Sequence, residues 1–162
     1  MDDEIVTHAT NDGNPGDNAT ERADRVARAL HRLDPSAATF GIELVDAAPD
    51  SAAVRMPVRT EHCNGFGILH GGMTFLLADS AMAFASNAGG RMALASSAGI
   101  DWLAPVPDGD VLTARAVRRD GGNGRSALWN ITVTNAAGET VALMRGRTRT
   151  VNRPTIETDV PG

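Results

Sequence analysis

Seventeen consecutive residues, GGMTFLLADSAMAFASN from Gly71 to Asn87, constrain this chain more than any other part of it. The stretch lacks proline and is dominated by Ala, Leu and Met, which favour helix. It is apolar on nearly every side, not along one stripe, and a helix of that kind is stable only when surrounded. The sequence therefore predicts a central helix that the rest of the chain must enclose. One acid lies inside it. Asp79 has Phe75 and Leu76 one turn before it and Met82 and Ala83 one turn after. An ionised carboxylate in such company costs several kcal/mol unless it is compensated. Burial raises its pKa toward the range of a useful base at neutral pH. A structural acid hydrogen-bonded to a neighbouring strand or subunit fits the same pattern.

What encloses the helix is read from the flanks. Before it, Ala23, Val26, Leu30 and Leu33 form the apolar face of a short helix with arginines opposite, capped by Thr20 and stopped by Asp34-Pro35. Two strands follow, over about 42–47 and 52–58, with Asp50 in the turn between them. After the helix, Gly89-Gly90 breaks the chain. Met92, Leu94, Ser96, Ala98, Ile100 and Trp102 then alternate with a second face, Asp108-Gly109 turns, and 111–119 is a further strand. The run Gly121-Gly122-Asn123-Gly124 signals a hairpin. The next strand sets Ala127, Trp129, Ile131 and Val133 on one face, and 140–151 closes the sheet. The fold class expected is α+β: one antiparallel sheet wrapped around one apolar helix. The chain divides into a flexible arm over 1–19, one domain over 20–151 and a flexible tail over 152–162.

A length of 162 residues suits one domain with a real core and no need of disulfides. The net charge of -5 argues against a nucleic-acid binder that relies on bulk charge. The basic residues are all arginine. Cys63 has no cysteine partner, and His62, Cys63 and His70 lack metal-ligand spacing, so no metal site is expected. The acidic N-terminus, MDDEIVTHAT, has no basic region or apolar core of a secretory signal. No apolar run reaches the ~18 residues of a membrane span. A cytoplasmic protein that does not engage membranes is expected.

The loop HCNGFGILHGG leads into the central helix. Gly71 and Gly72 stand at its start, where unpaired N–H groups and the helix dipole can stabilise a carbonyl oxygen as it gains charge. The same Gly-Gly pair also suits a tight strand-to-helix turn. Asn64 can donate its amide to that oxygen or serve as a turn residue. His70 can be a base, a cap or a packing residue. No GK[ST] follows the glycines, no GxSxG is present, and Cys63 has no evident activating base.

The block NGFGILHGGMTFLLADSAMAFASN resembles the signature of hotdog-fold acyl-CoA thioesterases of the phenylacetate-degradation, or PaaI-like, type. These proteins carry an Asn, HGG six residues later, and an Asp eight residues after the first glycine of the pair. Asn64, His70-Gly71-Gly72 and Asp79 match that spacing. The likeness continues through IDWLAP, Gly109-Asp110 and TVALMRGRTRTV, and covers about 40–151.

The resemblance implies a hotdog fold and hydrolysis of an acyl-CoA thioester, phenylacetyl-CoA or a hydroxylated relative, with no cofactor beyond the CoA of the substrate. It implies that the Gly71 N–H polarises the carbonyl with help from Asn64, and that Asp79 activates water or attacks. A small hydroxyl on the next strand, Ser97 or its neighbour Ser96, holds the water. His70 and Gly72 are implied as ligand contacts. Arg145 and Arg147, alternating with Arg149 on the last strand, suit CoA phosphates by their fork geometry, as they also suit a solvated strand face.

Gly71 and Asp79 lie eight residues apart on one helix, or about 12 Å along its axis. A carbonyl donor and a base must meet within about 3 Å of one reacting centre. Two antiparallel copies satisfy this where one straight helix does not, which predicts a homodimer, or a dimer of dimers, with shared sites. Two other readings compete: a hotdog dehydratase or hydratase using His70, and a non-catalytic acyl-CoA-binding protein.

Overall fold

In the computed structural model, residues 18–119 and 124–156 are described. Three helices, α1 (Ala19–Arg32), α2 (Pro35–Phe40) and α3 (Gly71–Asn87), accompany six strands. The strands are β1 (Glu43–Ala48), β2 (Ser51–Pro57), β3 (Arg91–Trp102), β4 (Val111–Arg118), β5 (Ser126–Thr134) and β6 (Thr140–Pro154). They form one antiparallel sheet in the order β1-β2-β4-β5-β6-β3. The helix α3 touches all six strands, as its all-round apolar sequence requires.

Packing against the sheet fixes the position of α3. Leu77, Ala78, Ala81, Met82, Phe84 and Ala85 are buried against Met56, Leu112, Trp129, Ile131 and Met144. Gly146 on β6 makes room for the Met82 sulfur, which would have to move aside for a Cβ there. At its far end α3 is tied off by Asn87, whose side chain bonds the Ala93 N–H and C=O, each at 2.9 Å.

Several local expectations are corrected. The cap of α1 is Asn18, not Thr20, in a reciprocal box with Glu21. Asp34-Pro35 ends α1 and also starts α2: the Asp34 carboxylate accepts from the Ser36 and Ala37 N–H groups, with Pro35 in the first turn, where its missing N–H is harmless. Leu33 is 67% exposed, so it does not continue the apolar face of α1. The strand β6 runs to Pro154, and Thr155 bonds Gly90 and Asn87, so ordered contacts continue past the expected start of the tail at 152. Most of the proposed arm, 1–17, the hairpin residues Gly121, Gly122 and Asn123, and 157–162 lie outside the described residues.

The largest local difference is in β3. A bulge between Ala95 and Ser97 shifts its register against β6. From Ala98 onward the even-numbered residues face α3, because Ala98, Ile100 and Trp102 pair with Gly146, Met144 and Ala142. Before the bulge the parity is reversed: Ala93 is buried and Leu94 is 54% exposed. An unbroken alternation from Met92 to Trp102 is therefore not present, since one inserted residue exchanges the two faces.

Candidate active site

The loop before α3 is shaped by its own hydrogen bonds. Asn64 Oδ1 accepts from the Phe66 N–H at 2.9 Å, and the Asn64 N–H and C=O bond Ile68 and Gly67. Gly67 takes φ +73°, a conformation that glycine tolerates at no steric cost. With the oxygen occupied, the Asn64 side-chain N–H₂ is left without a partner among the described residues. Asn64 is thus a turn residue and an available donor at once.

His70 is the N-cap of α3. Its Nδ1 accepts from the Gly72 N–H at 2.9 Å, and its own backbone N–H donates to His62 O. The cap occupies the Gly72 N–H, so Gly72 offers no second donor to a ligand. The Gly71 N–H, the first of the helix, makes no hydrogen bond among the described residues. Gly71 and Asn64 line one cavity of about 310 Å³ with Ile68, Thr74, Trp102 and Val106. Trp102 Nε1 donates to Gly71 O at 3.2 Å. Sequence reasoning missed this contact. The available signal was an indole at the end of a strand in a chain with only two tryptophans and no tyrosine.

Asp79 lies two turns along α3, outside that cavity's lining. It is half-buried, on the stripe with Met73, Leu76 and Ala83 that the sheet leaves partly open. No hydrogen bond or ion pair reaches its carboxylate among the described residues. Desolvation by burial pushes its pKa above the ordinary aspartate value. That is the condition of a carboxylate poised to take a proton. The Cys63 thiol is raised as well, by desolvation and by the charges of Asp108 and Glu61, which suppresses the thiolate a nucleophile needs. Among the described residues, no three of His, Cys, Asp and Glu gather to hold a metal ion, and no helix is long and apolar enough to cross a membrane.

Four of the residues singled out from sequence do not join Asp79 within the protomer. Gly146 faces α3, so its neighbours Arg145 and Arg147 point to the outer face of the sheet, where both are exposed. Ser97 pairs with Arg147 and shares that outer register, while Ser96 sits in the bulge and donates its hydroxyl to Arg147 O at 3.2 Å. Within the protomer, therefore, neither Ser96 nor Ser97 stands in register on the α3 side.

Comparison with known proteins agrees with this geometry. The model of the Thioesterase superfamily matches residues 66–142, which include the end of the loop from Phe66, α3 and the strands β3 to β5. The acyl-coenzyme A thioesterase PaaI of Escherichia coli (strain K12) is 36% identical over 132 residues, covering 82% of this chain and 94% of that protein. The solved structure of the E. coli PaaI protein from the phenylacetic acid degradation operon superposes with a TM-score of 0.82 at 35% identity, over 85% of this chain and 99% of that one. A mutant of the phenylacetic acid degradation protein PaaI from Thermus thermophilus superposes with a TM-score of 0.69 at 36% identity, over 73% and 100% of the two chains. With its six-stranded sheet around one helix, its HGG loop and its half-buried acid, the chain belongs to the thioesterase superfamily as a PaaI-like hotdog acyl-CoA thioesterase, a thioester hydrolase.

Proposed function

We propose that Asp79 is the general base of this thioesterase, that the Gly71 N–H and the Asn64 amide receive the thioester oxygen, and that each site is shared between two copies. The observation that carries this reading is a mismatch within one protomer. The unused Gly71 N–H and the unpaired Asp79 carboxylate lie on one helix, about 12 Å apart along its axis, too far to meet at one carbonyl. A second copy, antiparallel, sets the Gly71 of one chain opposite the Asp79 of the other.

The surface supports such a partner. The strand β3 is a sheet edge of twelve residues, and Leu94, Trp102 and Leu103 on and just beyond it are each more than half exposed. A long apolar edge beside an open helix stripe invites pairing with another chain. Phe66, 90% exposed on the loop beside Asn64, is a further uncovered apolar side chain.

In this reaction Asp79 takes a proton from water while the water oxygen bonds to the carbonyl carbon. The charge that builds on the carbonyl oxygen rests on the Gly71 and Asn64 donors. Collapse of the tetrahedral species breaks the C–S bond, and the departing CoA thiolate takes the proton. The acyl group is of the aryl-acetyl class. Solved relatives of this chain are proteins of phenylacetic acid degradation, and the cavity beside Gly71 is walled by Ile68, Leu69, Leu103 and the Trp102 ring. Asp79→Ala should cut kcat for thiol release about 10²- to 10⁴-fold. A mixed dimer of Asp79→Ala with a Gly71-loop variant should regain part of the activity, through one intact composite site. Full activity from a monomer would end the shared-site reading. Incorporation of ¹⁸O from labelled water into the Asp79 carboxylate in a single turnover would replace the base with a nucleophile.

A further inference from the structure

Helix α3 begins with two glycines in succession, Gly71 and Gly72. Glycine is the residue with the most backbone freedom, and a helix start is where fraying concentrates. A donor that stabilises developing charge must be held in place before the charge appears. A Gly-Gly start alone is poorly suited to that. Two side chains compensate. On one side the His70 ring caps the Gly72 N–H at 2.9 Å. On the other, Trp102 hydrogen-bonds Gly71 O at 3.2 Å, and its indole lies so close that a Cβ added to Gly71 would meet Nε1 at 3.0 Å and Cε2 at 3.1 Å.

The origin of this contact is the register of β3. The bulge between Ala95 and Ser97 brings the even-numbered residues to the α3 side, and Trp102, opposite Ala142, is the last of them before the strand ends. Without the bulge the indole would face outward. The ring stays 56% exposed and walls the cavity that Gly71 and Asn64 share. Burial alone therefore does not account for a tryptophan here.

We infer that Trp102 is a positioning residue for hydrolysis: its indole N–H and ring edge hold the Gly71–Gly72 peptide at its C=O, as His70 holds it at its N–H, so that the preceding Gly71 N–H stays aimed at the thioester oxygen. This rests on the reading of Gly71 as the carbonyl donor. The role predicts an effect on kcat more than on KM, because the pinned donor matters most where the oxygen carries charge. Trp102→Phe keeps a ring and removes the N–H. It should lower kcat about fivefold, the loss of roughly one neutral hydrogen bond, with KM and thermal midpoint nearly unchanged. Trp102→Leu, which removes the ring as well, should lower kcat further.

The decisive measurement is the carbonyl stretch of ¹³C-labelled phenylacetyl-CoA bound to Asp79→Asn, which holds the ester without rapid turnover. A downshift on binding, diminished when Trp102→Phe is added, is the expected result. An undiminished downshift overturns the role of Trp102 and leaves the Gly71 reading standing. No downshift in Asp79→Asn overturns the Gly71 reading and the role of Trp102 with it.

Discussion

At its C-terminal end α3 is tied off by Asn87, which bonds the Ala83 C=O and both polar groups of Ala93 while its own C=O accepts from Thr155 Oγ1. At its N-terminal end, among the described residues, the Gly71 N–H and the nearby Asn64 amide have no partner, and two turns on the Asp79 carboxylate has none either. Both ends carry polar groups at the border of an apolar core. Buried polar groups are nearly always paired in native proteins, so the satisfied end is what structure alone requires. At the other end the unpartnered side chains keep access to solvent, since no buried side-chain polar atom among the described residues lacks a partner, so their hydrogen-bonding capacity stays free for a ligand. The lesson is to look for hydrogen-bonding capacity that the fold does not use.

The contrast can be tested by substitution, with Asp79→Asn giving the largest effect. It should lower kcat about 10²- to 10⁴-fold and at the same time make the protein more stable at neutral pH. The sign follows from linkage. The folded-state pKa of Asp79 is raised by desolvation, so between the ordinary aspartate value and that raised value the folded state binds more protons than the unfolded. Stability therefore falls as pH rises through that window. The variant lacks the penalty, and its advantage in urea titrations should shrink as pH drops to the ordinary aspartate range. In the parent enzyme kcat should decline as pH falls through the raised pKa. A variant less stable than the parent at neutral pH would mean that Asp79 has a partner in the assembly.

Asn87→Ala should do the reverse at the other end. It leaves the Ala93 N–H and C=O unpaired, which costs about 2–4 kcal/mol of unfolding free energy by urea titration, while the folded fraction keeps its kcat. A loss of kcat without a loss of stability would break the division between the two ends.

The smallest effect is expected on the outer face. Arg145→Ala with Arg147→Ala should change KM for an acyl-CoA by less than about threefold, as for exposed charges remote from a site. A larger rise in KM that disappears at high salt would return these arginines to the CoA phosphates.

Much of this arrangement is legible in the chain. The uniform apolarity of 71–87 marks the helix and its bounds, and the alternation of Trp129, Ile131 and Val133 marks the inner face of β5. What is not legible has local physical causes. Asp34-Pro35 reads as a stop because proline cannot continue a helix, yet the same pair caps and opens the next one. The bulge in β3 has no sequence mark beyond two adjacent serines, and it turns Ser97 to the outer face and Trp102 toward Gly71. The pairing of Arg147 across the sheet depends on the register of β6 against β3, which no spacing within one strand reveals. Gly71, Asn64 and Asp79 stand out in the sequence because their types and spacing suit the chemistry. Trp102 does not stand out as a partner of Gly71, because it reaches that peptide across thirty-one positions of chain.

The chain has two tryptophans, and the fold has given them opposite lives. Trp129 is 2% exposed, its indole N–H fixed on Thr148 at 2.8 Å, whereas Trp102 stands half in solvent at the cavity mouth. Their emission therefore divides by origin: a blue, quencher-proof band that follows the integrity of the core, and a second band that follows what occupies the cavity and whether a partner copy covers the β3 edge. One spectrum read at two wavelengths can separate a protein that has lost its ligand from one that has lost its fold.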